Sequence, residues 1–355
     1  MPVTKPDTSG GFHPALSARS DIFTPAVDCV RADGTLDSSL LSPALQQAIL
    51  RSTRLRNIVS SMLIEGERVE LGRAVEVLDT GHAITPNERA VLQLSRVYDR
   101  IARGESIPRT VSGVCSVHFE IFDGVLPVDV SGAIKTVRNA IVDTGSGRIV
   151  FVPTPPERVR AELDALFRWF NDARFSLPGP VVAGVFFAEF QAIHPFADGN
   201  GRVGRILNLS VLAELGLKNA PLVPVDSMFF RTHRKYYEML STTNSGHQYG
   251  LWLRYYVRQL LDAYRAALNR TDLRSTVEGF RSRVVRDLLT WALAGSGDWF
   301  SHGDFPNLNG FSVPAVTQAL RKLVHSGVLE SKGEHRGRRY RLSPSYLARI
   351  ESGQK

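Results

Sequence analysis

A mainly α-helical protein is encoded here, with one small β-hairpin near its middle and a helix-and-ribbon module at its C-terminal end. Three observations point there. Long stretches carry apolar residues at helical spacing, as in the run holding Leu45, Ile49, Leu55, Ile58, Val59, Met62 and Leu63. One β-branched and aromatic run, residues 148–156, follows a turn-like "DTGSG" at 143–147 and ends in prolines. Beyond residue 270 the pattern changes to two helices followed by strand, turn and strand.

The elements follow in order. Residues 1–40 are polar and rich in Pro and Gly and read as an irregular or extended lead. A helix starts at Ser42-Pro43, a cap followed by proline in the first turn, and stops at Gly66. Helical patterns recur over 69–77 and 86–102, and residues 103–134 read as loops with helical pieces. After the hairpin, Val159, Leu163, Leu166, Phe167 and Phe170 form one stripe of a helix over 157–172. "VVAGVFFAEFQAI" (181–193) is almost wholly apolar but too short to span a bilayer and carries Glu189, so it reads as a core helix. Helices are expected again in "ILNLSVLAELG", "HRKYYEMLSTT" and "YGLWLRYYVRQLLDAYRAAL".

The 355 residues suffice for two or three domains. The expected division is an N-terminal helical segment (1–105), a central core (106–270) and a C-terminal module (271–355). Apolar and charged fractions of 43% and 22% are those of a soluble globular protein. With no long apolar run and no signal-peptide core at the N-terminus, the expectation is a cytoplasmic protein without a membrane partner. Cys29 and Cys115 lie far apart and match no metal spacing, which fits a reducing compartment. The net charge of +8 favours anionic partners such as nucleotides or nucleic acid.

The chemistry concentrates in "HPFADGNGRVGR", His194 to Arg205, between the core helix and the helix after it. The first N–H groups of that second helix have no partners inside it and, with the helix dipole, form an anion site. Gly199, Gly201 and Gly204 let the main chain turn tightly and approach a ligand. Arg202 and Arg205, three apart, can face one side and suit a polyphosphate. Asp198 is an oxygen ligand of the kind that holds Mg²⁺ beside phosphates. His194 can take a proton from a hydroxyl, and Asn200 can donate to a phosphate oxygen. Base, metal ligand and anion cradle together describe phosphoryl or nucleotidyl transfer.

This string resembles the signature of the Fic family, H-P-F-x-D/E-G-N-G-R-x-G-R, at every specified position. The resemblance spans about residues 40–265. It implies a Fic-type helical bundle that transfers AMP from ATP to a Tyr, Thr or Ser hydroxyl of a target protein. In that reading His194 is the general base and Asp198 holds Mg²⁺ or Mn²⁺. Phe196 anchors the loop, Gly199, Asn200, Gly201, Val203 and Gly204 line the ATP site, and Arg202 and Arg205 hold the phosphates. The hairpin residues Arg148, Ile149, Val150 and Phe151 resemble the family's flap, whose backbone would pair with an extended target segment. Tyr236, Tyr237 and Asn244 resemble adenosine contacts of relatives.

Ser61, Glu65 and Gly66 in "SSMLIEG" resemble the family's inhibitory pattern, [S/T]-x-x-x-E-[G/N], on a helix over about 44–66. Ser61 and Glu65 share a helix face, and a Glu65–Arg205 pair would keep Arg205 from the γ-phosphate. In some relatives that glutamate instead positions water to remove AMP, so a hydrolase is the alternative activity. The C-terminal pattern is that of a winged helix-turn-helix. Gln318, Arg321 and Lys322 on its second helix and Arg336, Arg338 and Arg339 in the wing would face DNA, giving a DNA-binding regulator with a nucleotide-sensing domain as a further alternative. A target protein, the chain itself as a substrate, a homodimer and DNA are the expected partners.

Overall fold

The computed structural model describes residues 3–16, 19–36, 43–142, 147–244, 248–271, 299–302, 311–334 and 337–346, with isolated positions between 282 and 292. The hairpin turn expected at 143–146 and Arg336 lie outside them. In chain order the elements are β1 (Val3–Thr4), α1 (Ser20–Thr35), α2 (Pro43–Ile64), α3 (Leu71–Thr80), α4 (Pro86–Ala102), α5 (Val111–Phe122), β2 (Ile141–Val142) and β3 (Ile149–Val152). There follow α6 (Pro156–Ala173), α7 (Gly179–Ile193), α8 (Asn200–Glu214), α9 (Val225–Arg231), α10 (His233–Ser241) and α11 (Gly250–Thr271).

The protein is mainly helical, and α7 is its centre. Every residue of α7 from Pro180 to Ile193 is buried, as an all-round apolar helix requires. Helices α1, α6, α8 and α11 pack around it. Trp252 of α11 donates its indole N–H to the Gly184 carbonyl of α7 at 2.7 Å, and Phe187, Phe229 and Tyr236 cluster with its ring. Helix α4 starts with a capping box in which the Thr85 side chain and Glu88 each satisfy the other's backbone N–H. No helix among the described residues is long and apolar enough to cross a membrane.

The N-terminal lead departs from the irregular segment read in the sequence: residues 20–35 are α1. Pro25 stands inside it and masks its pattern. Packing supplies what the local signal lacks. Ile22, Ala26, Cys29 and Ala32 are buried on one face, which lies against α11. Buried Asp33 accepts from Tyr264 Oη at 2.8 Å and from the Asn219 N–H at 3.0 Å. Residues 103–134 likewise hold a full helix, α5, capped by the Thr110 side chain on the Gly113 N–H.

Strand β1 completes the hairpin. The sheet order is β1-β3-β2, with β1 parallel to β3 and β2 antiparallel to it. Lys5, just after β1, is buried between Glu162 of α6 (2.7 Å) and Glu189 of α7 (2.8 Å). Thr154 and Tyr249 donate to the same two carboxylates. Lys5→Met is expected to destabilise the fold by roughly 3–5 kcal/mol, because it takes the shared ammonium from two buried carboxylates and leaves Arg158, 3.4 Å from Glu162, to offset one of them. A urea unfolding midpoint unchanged from wild type would count against this ion triad as a structural staple.

The C-terminal residues have their own small core, with Val316, Leu320 and Leu323 packed on Leu288, Leu289 and Tyr340. Helix α12 (Val313–His325) is followed by β5 (Leu329–Lys332) and β6 (Arg339–Leu342), and β4 (Phe300–Ser301) joins them in the order β4-β6-β5. Gln318, Arg321 and Lys322 are exposed on α12, and Arg338 and Arg339 are exposed at the start of β6.

Candidate active site

The turn from α7 into α8 is built by its own side chains. His194 caps α7 in the left-handed region (φ 52°, ψ 61°), the only non-glycine at positive φ among the described residues. A side chain adopts that conformation when its surroundings over-determine it. They do so here. Asn200 accepts from the Phe196 N–H at 2.9 Å and donates to the Phe196 carbonyl at 2.9 Å, pinning the loop from within. Asn139 Nδ2 donates to the same carbonyl at 3.3 Å, and the Lys135 N–H donates to the Pro195 carbonyl at 3.0 Å. The Phe196 ring is buried and stacked on His118 at 3.9 Å.

His118 holds the far side of the loop. The Gly132 N–H donates to its Nδ1 at 2.8 Å. Its Nε2 therefore carries the proton and donates to the Asp198 carbonyl at 3.0 Å. Burial lowers its pKa to about 4, so the ring is neutral.

His194 is oriented in the opposite sense. Its Nδ1 lies 3.2 Å from the Gln191 carbonyl, an acceptor, so the proton sits there and Nε2 is left unprotonated. Burial first, and the Lys135 ammonium second, lower its pKa to about 4. An NMR titration of the ligand-free protein is expected to give an imidazole midpoint near pH 4 instead of near 6.5. A midpoint at or above 6 would contradict the burial that the structure gives the ring.

Where the sequence reading expects an anion cradle, the protein's own acids sit on the arginines. Arg205 is almost wholly buried. Its Nε donates to Ser61 Oγ at 2.7 Å, and its Nη2 donates to the Ser61 carbonyl at 3.0 Å and to Glu65 Oε1 at 2.6 Å. Burial opposes its charge, but Glu65, with Tyr236 and Asp226 nearby, holds its pKa above that of a free guanidinium. Glu65 also rests on the first turn of α8, where a methyl group at Gly201 would overlap Oε1. Only glycine lets a carboxylate come so close to these N–H groups. Arg202, also buried, donates to Glu67 Oε2 at 2.7 Å and lies over the Phe122 ring at 4.5 Å. Asp198 is exposed, with Oδ1 3.8 Å from Arg202 Nη2.

The structure thus brings Ser61, Glu65, His194, Asp198, Gly201, Arg202 and Arg205 around one turn. Other expected roles need correction. Both polar atoms of the Asn200 amide bond Phe196, so this side chain shapes the loop. Val203 is fully buried, and its N–H is donated to the Gly199 carbonyl at 3.0 Å. Tyr236 is buried in the aromatic cluster beside Arg205 and is closed to a nucleoside, whereas Tyr237 is exposed and donates to the Ile64 carbonyl at 3.1 Å. Gly199 is the N-cap of α8, Gly204 packs against Gln191, and Gly66 follows Glu65 at the end of α2. Asn244 ends a 3₁₀ turn after α10. In the hairpin, Arg148, Ile149 and Val150 are exposed but Phe151 is buried. His118, Lys135, Asn139 and Glu67 were not singled out in the sequence. Glu67 alone left a trace, an acid two residues past Glu65.

An ion bound at Asp198 would find little other protein around it. Among the described residues no cluster of three His, Cys, Asp or Glu side chains could hold a metal. A single exposed carboxylate fits Mg²⁺, which keeps waters and takes phosphate oxygens as its remaining ligands.

Comparisons with known proteins agree with this architecture. Residues 108–212 match the model of the Fic/DOC family. The chain is 26% identical over 246 residues to protein adenylyltransferase fic-1 of Caenorhabditis elegans, covering 64% of this chain and 43% of that protein. It is 26% identical over 221 residues to protein adenylyltransferase Fic of Drosophila yakuba, covering 60% and 41%. It therefore spans less than half the length of these curated relatives. In fold it is similar to a Fic family protein from Desulfovibrio desulfuricans, with a TM-score of 0.64 at 21% identity over 94% of this chain and 99% of that one. A structure of Fic-1 from C. elegans superposes with a TM-score of 0.56 at 20% identity, over 71% and 72% of the two chains. Residues 108–212 are thus the part of the chain that is similar to the Fic/DOC family, and the helical frame around them is that of its structural neighbours.

Proposed function

We propose that this protein is an autoinhibited protein adenylyltransferase, moving AMP from ATP to a hydroxyl of a target protein. The observation that carries the reading is Glu65. An internal carboxylate lies on the N-terminal turn of α8 and on Arg205, where a phosphate group would be held.

The reaction follows from the residues around it. His194 Nε2 takes the proton of the target hydroxyl. Its oxygen forms a bond to the α-phosphorus as the bond from that phosphorus to the β-phosphate oxygen breaks, and pyrophosphate leaves. Arg202, Arg205 and the α8 N–H groups hold the phosphates as charge shifts toward the leaving group. Asp198 would hold Mg²⁺, which neutralises phosphate charge when bound. The family resemblance makes the β2–β3 hairpin the docking edge for an extended target segment. Since β1 covers one side of β3, the open edge beside the hairpin is that of β2.

Incubation of the full chain with α-labelled ATP, Mg²⁺ and a native lysate tests this. Covalent label on a protein, with pyrophosphate released, is the expected result. No label with wild type or with Glu65→Gly would overturn the proposal.

A further inference from the structure

We propose that Glu67 is a second determinant of nucleotide entry, acting on Arg202 as Glu65 acts on Arg205. The inference rests on the reading that the cradle takes a nucleotide polyphosphate. It adds that this chain guards each of its two phosphate-binding arginines with a separate acid.

The turn after α2 makes this possible. Gly66 is left-handed (φ 78°). The Gly66 N–H donates to the Leu63 carbonyl at 3.0 Å and the Glu67 N–H to the Met62 carbonyl at 3.0 Å. That pair of bonds is the Schellman arrangement, which reverses the chain within one residue. Glu65 and Glu67 therefore leave the turn in different directions, one toward each arginine.

At Arg202 the contacts are few and specific. The guanidinium is nearly closed to solvent, and its Nε has no hydrogen-bond partner among the described residues. Phe122 covers its face and Asp198 stands 3.8 Å from Nη2. The 2.7 Å bond from Nη1 to Glu67 is its one short contact with an acid. An incoming phosphate that needs this edge must displace Glu67, as a phosphate on Arg205 must displace Glu65. The two contacts do not overlap, so removing one acid leaves the other arginine held.

A selectivity follows. A nucleotide with a long phosphate chain needs both guanidiniums and competes with both acids. A nucleoside monophosphate, with one phosphate on the α8 turn, does not need both. Glu67 therefore disfavours ATP relative to AMP.

The test compares wild type, Glu65→Gly, Glu67→Gln and the double variant as full chains, with dissociation constants for ATP and AMP measured by calorimetry with Mg²⁺ present. Glu67→Gln keeps the shape of a partly exposed side chain, and Glu67→Ala is the second variant should the first not fold. Glu67→Gln is expected to tighten ATP about fivefold or more, the low end of ordinary coupling between sites. The gain should appear in both the wild-type and Glu65→Gly backgrounds, with AMP changed by less than about twofold. If Glu65→Gly binds ATP and Glu67→Gln adds nothing in either background, the second gate is refuted and the nucleotide reading survives. Equal tightening of ATP and AMP also refutes it, since that is general loosening. If no variant binds ATP, the nucleotide reading itself falls.

Discussion

Glu65→Gly is expected to raise the rate of AMP transfer on the order of 10–100-fold, a typical coupling of about 1–3 kcal/mol. Arg205 is buried with three donated bonds, two to Ser61 and one to Glu65. Removing Glu65 leaves the two neutral contacts and deletes the hydrogen-bonded counter-charge, so that Asp226 is the acid that still acts on Arg205. A buried guanidinium stripped of its bonded anion is costly, and that cost becomes affinity for a phosphate that replaces the carboxylate. The variant also clears the space over Gly201. Its thermal midpoint without nucleotide should fall below wild type and rise with ATP. Glu65→Gln, which loses the charge but still fills the space, should lie between the two in rate. Equal rates for wild type and Glu65→Gly at ATP well below saturation, with equal ATP affinities, would show that Glu65 holds no brake.

His194→Ala, made in the Glu65→Gly background, is expected to lower transfer by about 10²–10⁴-fold, the range of a lost general base. ATP affinity should change little, because the ring bonds the Gln191 carbonyl and touches neither arginine in any hydrogen bond or ion pair of the structure. The split between rate and binding is the discriminating measurement. A matching loss of affinity would mean that the ring supports the loop and that the proton leaves another way. The Asn200 and Asn139 bonds to Phe196 speak for the first outcome, since the loop is held without His194.

The helical frame and the centre of the site were legible because they are local. The apolar run of α7 and the glycine-arginine string beside it lie together in sequence, and spacing reveals them. The Glu65–Arg205 contact was legible only through resemblance, since the two residues are 140 positions apart. Helix α1 was missed because Pro25 and a weak stripe hide a helix that α11 stabilises from 200 residues away. His118 was missed for a related reason. Its role rests on one N–H from Gly132 and one carbonyl of Asp198, main-chain atoms whose positions no side-chain pattern encodes. The burial of Tyr236 was not legible, because an aromatic pair looks the same in sequence whether it faces a ligand or the core.

Strand β1 changes what the hairpin can be. A two-stranded ribbon on its own is marginal in water and samples many shapes. Here Val3–Thr4 add a third strand, and Lys5 anchors it among buried carboxylates of α6 and α7. The edge proposed for docking is therefore set in the folded protein before any partner arrives. A target segment that pairs with β2 would order itself, but it would not have to order the hairpin as well. Preorganisation of this kind lowers the entropy lost on association and lets a short, weakly specific strand bind usefully. In that proposed role, residues 3–5, far in sequence from the His194–Arg205 string, would set how readily a partner is engaged.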